Sequence, residues 1–267
     1  MSAELREILL TARAAADAGA REALARFRRR DLAVDDKAAG EGYDPVTEAD
    51  RASEAACRRV IVARYPEHGI LGEEEGETPG QDWRWVLDPI DGTRSFVCGT
   101  PTWTTLVGVE REGRAEVGVI AQPFTDEEWW GTAEGAFHRV GGGSTRCRVS
   151  GRTHLAEARV ATTDVRATPQ GSFTEDEAQA FLRVAAECPV ARFGMDAYAY
   201  GLLARGDLDL VIESGLQRYD VAALLPILRG AGAVVSSWSG GDPSGGGSIL
   251  AASSPRLHAA ACALLAG

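Results

Sequence analysis

What this 267-residue sequence lacks narrows its function before any motif is read. Its five cysteines, Cys57, Cys98, Cys147, Cys188 and Cys262, are odd in number, far apart and without a CxxC pair, so zinc binding and thiol redox work are not indicated. A reduced cytoplasm is the simplest home. No apolar run approaches the ~20 residues of a membrane span, and the N-terminus turns acidic at Glu4, so neither export nor insertion is expected. Positive charge is scarce: 28 Lys+Arg against 39 Asp+Glu leave a net charge of −11, which repels nucleic acid and anionic membranes. A phosphate-bearing ligand would therefore need a local cation. The four histidines, His68, His138, His154 and His258, contain no i, i+4 pair, and no serine sits in G-x-S-x-G, which removes the zinc-protease helix and the nucleophile elbow. The glycines of 240–247 run on without Lys-Ser/Thr, so they read as a surface loop and not as a phosphate-cradling P-loop.

What is present is the balance of a globular protein: 45% hydrophobic, 25% charged and 7% aromatic residues, in a length that allows one large domain or two closely joined halves. Apolar residues at helical spacing predict a long amphipathic helix over 3–30. A second helix starts at Thr47, where Thr47-Glu48-Ala49-Asp50 resembles a capping box, and stops before Pro66. An acidic loop over 72–82 then leads into a short strand, 84–87, kept extended to Asp88 by the proline that follows. Alternation around Glu112-Gly113 and around Glu134-Gly135 predicts two β-hairpins. Residues 1–145 thus read as an α+β half. After Gly141-Gly142-Gly143-Ser144, strands and helices take turns to the C-terminus, with one helix over 221–228 among them, so residues 146–267 read as an α/β half closing one compact unit.

The run Trp85-Val86-Leu87-Asp88-Pro89-Ile90-Asp91-Gly92-Thr93-Arg94-Ser95-Phe96 is the most informative. A strand delivers Asp88, Pro89 holds the turn, Asp91 follows three residues later, and Gly92 lets the backbone approach a ligand. If a helix begins at Thr93, the amides of Gly92 and Thr93 face the same place, which suits an anion. Carboxylates beside an anion site make sense when divalent cations sit between them, and oxygen ligands alone suit Mg²⁺. The plainer reading is that Asp88 and Asp91 satisfy turn amides and a helix cap. A rival phosphatase class uses D-x-D-G-T with a phosphorylated first Asp, but the spacing here is D-x-x-D-G-T, which turns a different carboxylate to the phosphate.

Together with Asp44-Pro45-Val46-Thr47-Glu48-Ala49-Asp50, Gly72-Glu73-Glu74 and Tyr219-Asp220-Val221-Ala222-Ala223, this run resembles the inositol monophosphatase superfamily over nearly the whole chain. Asp91 to Phe96 with Gly99, Pro101 and Trp103, then Asp196-Ala197-Tyr198-Ala199-Tyr200 and Tyr219 to Pro226, are more similar to its histidinol-phosphate phosphatases. The resemblance implies a layered αβαβα sandwich of α+β and α/β character. It implies Glu73, Asp88, Asp91, Asp220 and the Ile90 carbonyl as ligands for two or three Mg²⁺, with Mn²⁺ as a substitute. Thr93, supported by Asp44, would orient the attacking water, the Gly92 and Thr93 amides would hold the phosphate, and Glu213 with Asp196 would meet the leaving alcohol. A small phosphorylated metabolite is then the partner and a homodimer the expected assembly. Hydrolysis of such an ester needs on the order of 20 kcal/mol or more of barrier lowering, which metals and fixed amides can supply.

Each weaker residue has a plainer reading. Glu73, Glu74, Glu75 and Glu77 could be a solvated charge run, Asp220 a helix N-cap, Glu213 a strand-end surface residue, and Lys37 a surface lysine instead of a mobile basic residue near the site. Cys98 is expected as a packed thiol. The leading function is a Mg²⁺-dependent histidinol-phosphate phosphatase, with Tyr198 and Tyr200 helping Asp196 and Glu213 to bind a cation. An inositol, sugar or nucleotide phosphatase is the runner-up, and a catalytically silent metal-binding scaffold the alternative of a different class.

Overall fold

The computed structural model describes residues 1–31, 34–36, 45–167 and 171–267. In chain order the elements are α1 (Ala3–Leu24), β1 (Val34–Asp36), β2 (Pro45–Thr47), α2 (Glu48–Arg64), β3 (His68–Gly72), β4 (Gly76–Thr78), β5 (Gln81–Asp91), α3 (Thr93–Val97), β6 (Thr104–Arg111) and β7 (Arg114–Gln122). They continue as β8 (Glu127–Thr132), β9 (Gly135–Val140), β10 (Gly143–Arg146), β11 (Arg159–Thr162), α4 (Glu175–Glu187), β12 (Val190–Phe193) and α5 (Tyr198–Arg205). The last are β13 (Leu210–Leu216), α6 (Arg218–Ala222), α7 (Leu224–Ala231), β14 (Val234–Ser236), β15 (Gly247–Ala252) and α8 (Pro255–Ala266).

These form the expected layered sandwich. An eight-stranded sheet, ordered β10-β9-β8-β7-β6-β5-β3-β4, is antiparallel except for the β3/β5 pair. A five-stranded sheet, β12-β11-β13-β15-β14, mixes parallel and antiparallel pairs. Ile8, Ala12 and Ala16 of α1 with Ile61 of α2 pack on Trp85, Val107 and Val119 of the larger sheet. Leu203 of α5 and Leu224 and Leu228 of α7 fill the space between the sheets against Leu106, Ile120 and Val211. Phe181 of α4 and Leu257 of α8 cover the outer face of the smaller sheet. Each helix therefore buries one apolar stripe, as the 3.6-residue period of its sequence requires.

Local chemistry explains the boundaries. Thr47 caps α2, with its hydroxyl bound to the Ala49 amide and the Asp50 carboxylate returned to the Thr47 amide. The β6/β7 hairpin turns on Glu112 and Gly113, both in the left-handed region. Four expectations need correcting. The first helix ends at Leu24, and Arg28, at φ 60°, reverses the chain so that its guanidinium reaches the Gly99 carbonyl. The acidic segment after Gly72 is not all loop, because β4 folds back on β3. The strand at 84–87 extends from Gln81 to Asp91, straight through Pro89, where the ladder to β6 shifts register and the Pro89 carbonyl accepts the Ser53 and Thr105 hydroxyls instead. The helix expected over 221–228 is two helices that part at Ala223.

That break sits on a bare patch of sheet. Gly108 and Gly118 face each other across β6 and β7, and a side-chain carbon at Gly118 would overlap the Ala223 carbonyl. One at Gly108 would come within 2.8 Å of Ala222. Only glycines let the backbone of α6 and α7 lie this close to the sheet.

Candidate metal and phosphate site

The site forms where β5 meets α3 and α6. β5 brings Asp88, Ile90 and Asp91 to its carboxyl end, and Gly92, at φ 82°, swings the chain into α3, whose first residue is Thr93. Phe96 anchors this short helix, its ring 5.3 Å from Phe27 and 5.0 Å from Trp103. α6, which follows β13 of the smaller sheet, delivers Asp220. Oxygens of Asp88, Asp91 and Asp220 lie within 4.8 Å of one another. Glu73 joins them by a hydrogen bond to Asp88, on a turn held by its own amide to the Leu87 carbonyl (3.2 Å).

The electrostatics of this cluster are unfavourable on their own. Burial, then the charges of Glu73, Asp91 and Asp220, push the Asp88 carboxyl well above the usual carboxylate range. Burial with Asp196 and Asp220 does the same to Asp91, against one stabilising bond from the Ala197 amide at 2.6 Å. Asp88 Oδ1 is buried with no hydrogen-bond partner. An orphaned oxygen among mutually repelling carboxylates is what a divalent cation resolves: it supplies the missing partner and offsets the repulsion. The donor set, all oxygen, fits Mg²⁺ or Mn²⁺.

Beside the cluster lies a cavity of about 330 Å³ lined by Asp91, Gly92, Thr93, Arg94, Asp196, Glu213 and Asp220, among others. Thr93 Oγ1 is 3.0 Å from the Ile90 carbonyl and 3.4 Å from Asp50 Oδ1. Glu213 is buried, accepting from the Thr163 amide (3.0 Å), the Thr163 hydroxyl and the Tyr200 hydroxyl (2.8 Å). Burial outweighs those bonds and pushes its carboxyl up to about 7. Asp196, in the left-handed region at φ 48°, packs over Gly92 and accepts from Ser95 at 2.7 Å. Ser95 in turn accepts from Thr102, which lies 3.0 Å from both Ser95 Oγ and the Gly194 carbonyl, bolting the two halves of the chain together at the cavity.

The structure thus brings together Glu73, Asp88, Ile90, Asp91, Gly92, Thr93, Asp196, Glu213 and Asp220. Asp44 and Lys37 lie outside the described residues. Two expectations fail. Tyr198, the first residue of α5, turns away to Glu127 (2.6 Å), while Tyr200 is buried behind Glu213, so no aromatic ring among the described residues lines the cavity. Cys98 is exposed, not packed. Two carboxylates on α2 were missed. Asp50 reaches Thr93, and the fully buried Glu54 accepts from the Glu74 and Glu75 amides and from Arg58, fixing the turn that carries Glu73. Their signal was acidic residues on the buried face of an amphipathic helix.

The inositol monophosphatase family profile matches residues 4–266. The chain belongs to the inositol monophosphatase family. Within it, the chain is 33% identical to the histidinol-phosphatase of Mycobacterium tuberculosis over 91% of its own length and 92% of that protein. It is 37% identical to the chloroplastic bifunctional phosphatase IMPL2 of Arabidopsis thaliana over 89% of its length, spanning 66% of that longer family member. An inositol monophosphatase from Zymomonas mobilis, 33% identical, superposes over 100% of both chains with a TM-score of 0.85. Family members this similar thus carry names for different alcohols. Among the described residues no helix is long and apolar enough to cross a membrane.

Proposed function

We propose that this protein is a Mg²⁺-dependent phosphate monoester hydrolase acting on L-histidinol phosphate, as a cytoplasmic homodimer of two closely joined halves, 1–145 and 146–267. The observation that carries the substrate reading is the charge of the cavity wall beside the metal cluster. Asp196 and Glu213 both face it, and Arg94 is the one cationic lining residue among those described. Such a wall favours an alcohol bearing an amine and an imidazole over one offering only hydroxyls.

Glu73, Asp88, Asp91, Asp220 and the Ile90 carbonyl would hold two or three Mg²⁺, or Mn²⁺ in their place. Ions so held lower the pKa of water and neutralise a leaving alkoxide. The protein's own groups do the rest. Thr93 Oγ1 has one proton, given to Ile90 or Asp50, so its lone pairs accept a hydrogen bond from water and aim that water at phosphorus. Asp44 would support Thr93 in this role. The Gly92 and Thr93 amides hold the equatorial phosphate oxygens, and Glu213, fixed by Thr163 and Tyr200, meets the alcohol.

The test is the ratio of kcat/KM for L-histidinol phosphate and inositol 1-phosphate with Mg²⁺ present. It should favour the former by at least about tenfold, the worth of one charge-assisted bond. Glu213→Gln should harm histidinol phosphate more than a neutral sugar phosphate. Preference of the unmodified protein for inositol 1-phosphate would overturn the substrate and leave the metal chemistry standing.

A further inference from the structure

The segment that brings Asp220 to the cluster has little local support beyond a capping box, in which the Asp220 carboxylate accepts from the Gln217 amide at 2.6 Å. α6 has five residues, too few for a helix to persist by propensity. Asp220 is also pushed outward by Asp88 and Asp91, whose carboxylates share its corner of the site. Something must press α6 inward before a cation is bound.

Arg218, the first residue of α6, places its guanidinium on Glu110 of β6 through two bonds, Nε to Oε1 at 3.0 Å and Nη2 to Oε2 at 2.9 Å. Glu110 is 2% exposed. It also accepts from Arg84, directly opposite in the β5/β6 register, at 3.0 and 2.8 Å. A fork of this kind fixes both distance and plane, which a lysine or a single hydrogen bond would not. Arg218 and Asp220 stand two residues apart on one short helix lying on Gly108 and Gly118. Any rotation that moved Asp220 away from Asp88 would therefore break the fork.

We infer that Glu110 and Arg218 are positioning residues, which hold Asp220 against the repulsion of the other carboxylates and so preform the metal site. This rests on the reading of Asp220 as a metal ligand. It assigns a function to two residues, one on β6 and one on α6, that touch neither phosphate nor cation.

The experiment measures Mn²⁺ binding to the full-length protein by electron paramagnetic resonance, without substrate, alongside thermal melts in chelator. Arg218→Met should weaken Mn²⁺ binding about tenfold, the usual cost of losing the support of a metal ligand. Arg218→Lys, which keeps the charge without the fork, should fall between. Arg84→Met, which leaves the fork in place, should bind within about twofold of the unmodified protein; equal weakening there would overturn the inference by making the surrounding sheet responsible. Asp220→Asn separates the two claims. If it binds Mn²⁺ normally, the ligand reading fails and takes the inference with it. If it loses binding while both Arg218 variants stay within twofold, only the inference fails.

Discussion

Replacing Glu127 by Gln should cost stability at neutral pH and little in acid. Glu127 on β8 is 7% exposed and takes bonds from Tyr198 (2.6 Å), Thr125 (2.7 Å), Arg205 (3.3 Å) and His138 (3.0 Å). Burial raises its carboxyl, but the bonds from His138, Tyr198 and Thr125 outweigh that and hold it at about 2, against 4.5 for a free glutamate. At about 1.36 kcal/mol per pH unit the difference sets a ceiling of about 3.4 kcal/mol. Arg205 is partly solvated, and screening halves the figure to about 2 kcal/mol. Because the folded value lies below the unfolded one, this stability is fully present above about pH 4.5 and is lost as pH falls toward about 2. Glu127→Gln should lower the melting temperature by about 4–8 °C near neutrality, with the gap narrowing steadily in acid. Thermal melts in chelator across that range measure it. A gap of equal size at every pH, or none at neutrality, would refute the reasoning.

Further outcomes are expected at the site and on the helix behind it. Excess chelator should abolish phosphate release, and Asp88→Asn should lower it by more than about 100-fold while raising the melting temperature of the metal-free protein, since it relieves a buried, repelled carboxyl. Thr93→Ala should cut kcat by about 100-fold with Mn²⁺ affinity kept, as measured by titration, and no phosphorylated aspartate should accumulate. Glu54→Ala should cost about 2–4 kcal/mol in a urea melt, because it removes the acceptor of the Glu74 and Glu75 amides and leaves Arg58 only the Gly76 carbonyl, Thr78 and the more exposed Glu75.

The parts of this molecule legible in its sequence are those governed by near neighbours. The capping box at Thr47, the Glu112-Gly113 turn and the Asp88-to-Thr93 corner all follow from residues within a few positions of one another. Glu110 and Arg218 stand 108 positions apart, and nothing local announces their pairing. Other misses were avoidable. Tyr198 and Tyr200 are two residues apart on a helix, about 200° around its axis, so both could not face one cavity. Pro89 was read as ending a strand, but a strand can continue past a proline when side-chain hydroxyls take up the displaced carbonyl. Cys98 followed the average habit of its residue type, and the end of a five-residue helix is not an average place.

The paired glycines under α6 change what a mutational survey of this protein would report. Gly108 and Gly118 carry no functional group, yet each touches the junction from which Asp220 is hung. A methyl group at either would push that junction away from the sheet, and turnover would fall along with stability. An activity screen would therefore rank two inert residues in the middle of a β-sheet among the catalytic ones, and a stability screen would show that they act through packing. Read together, the two screens would trace the contact along which the two sheets share one reaction centre.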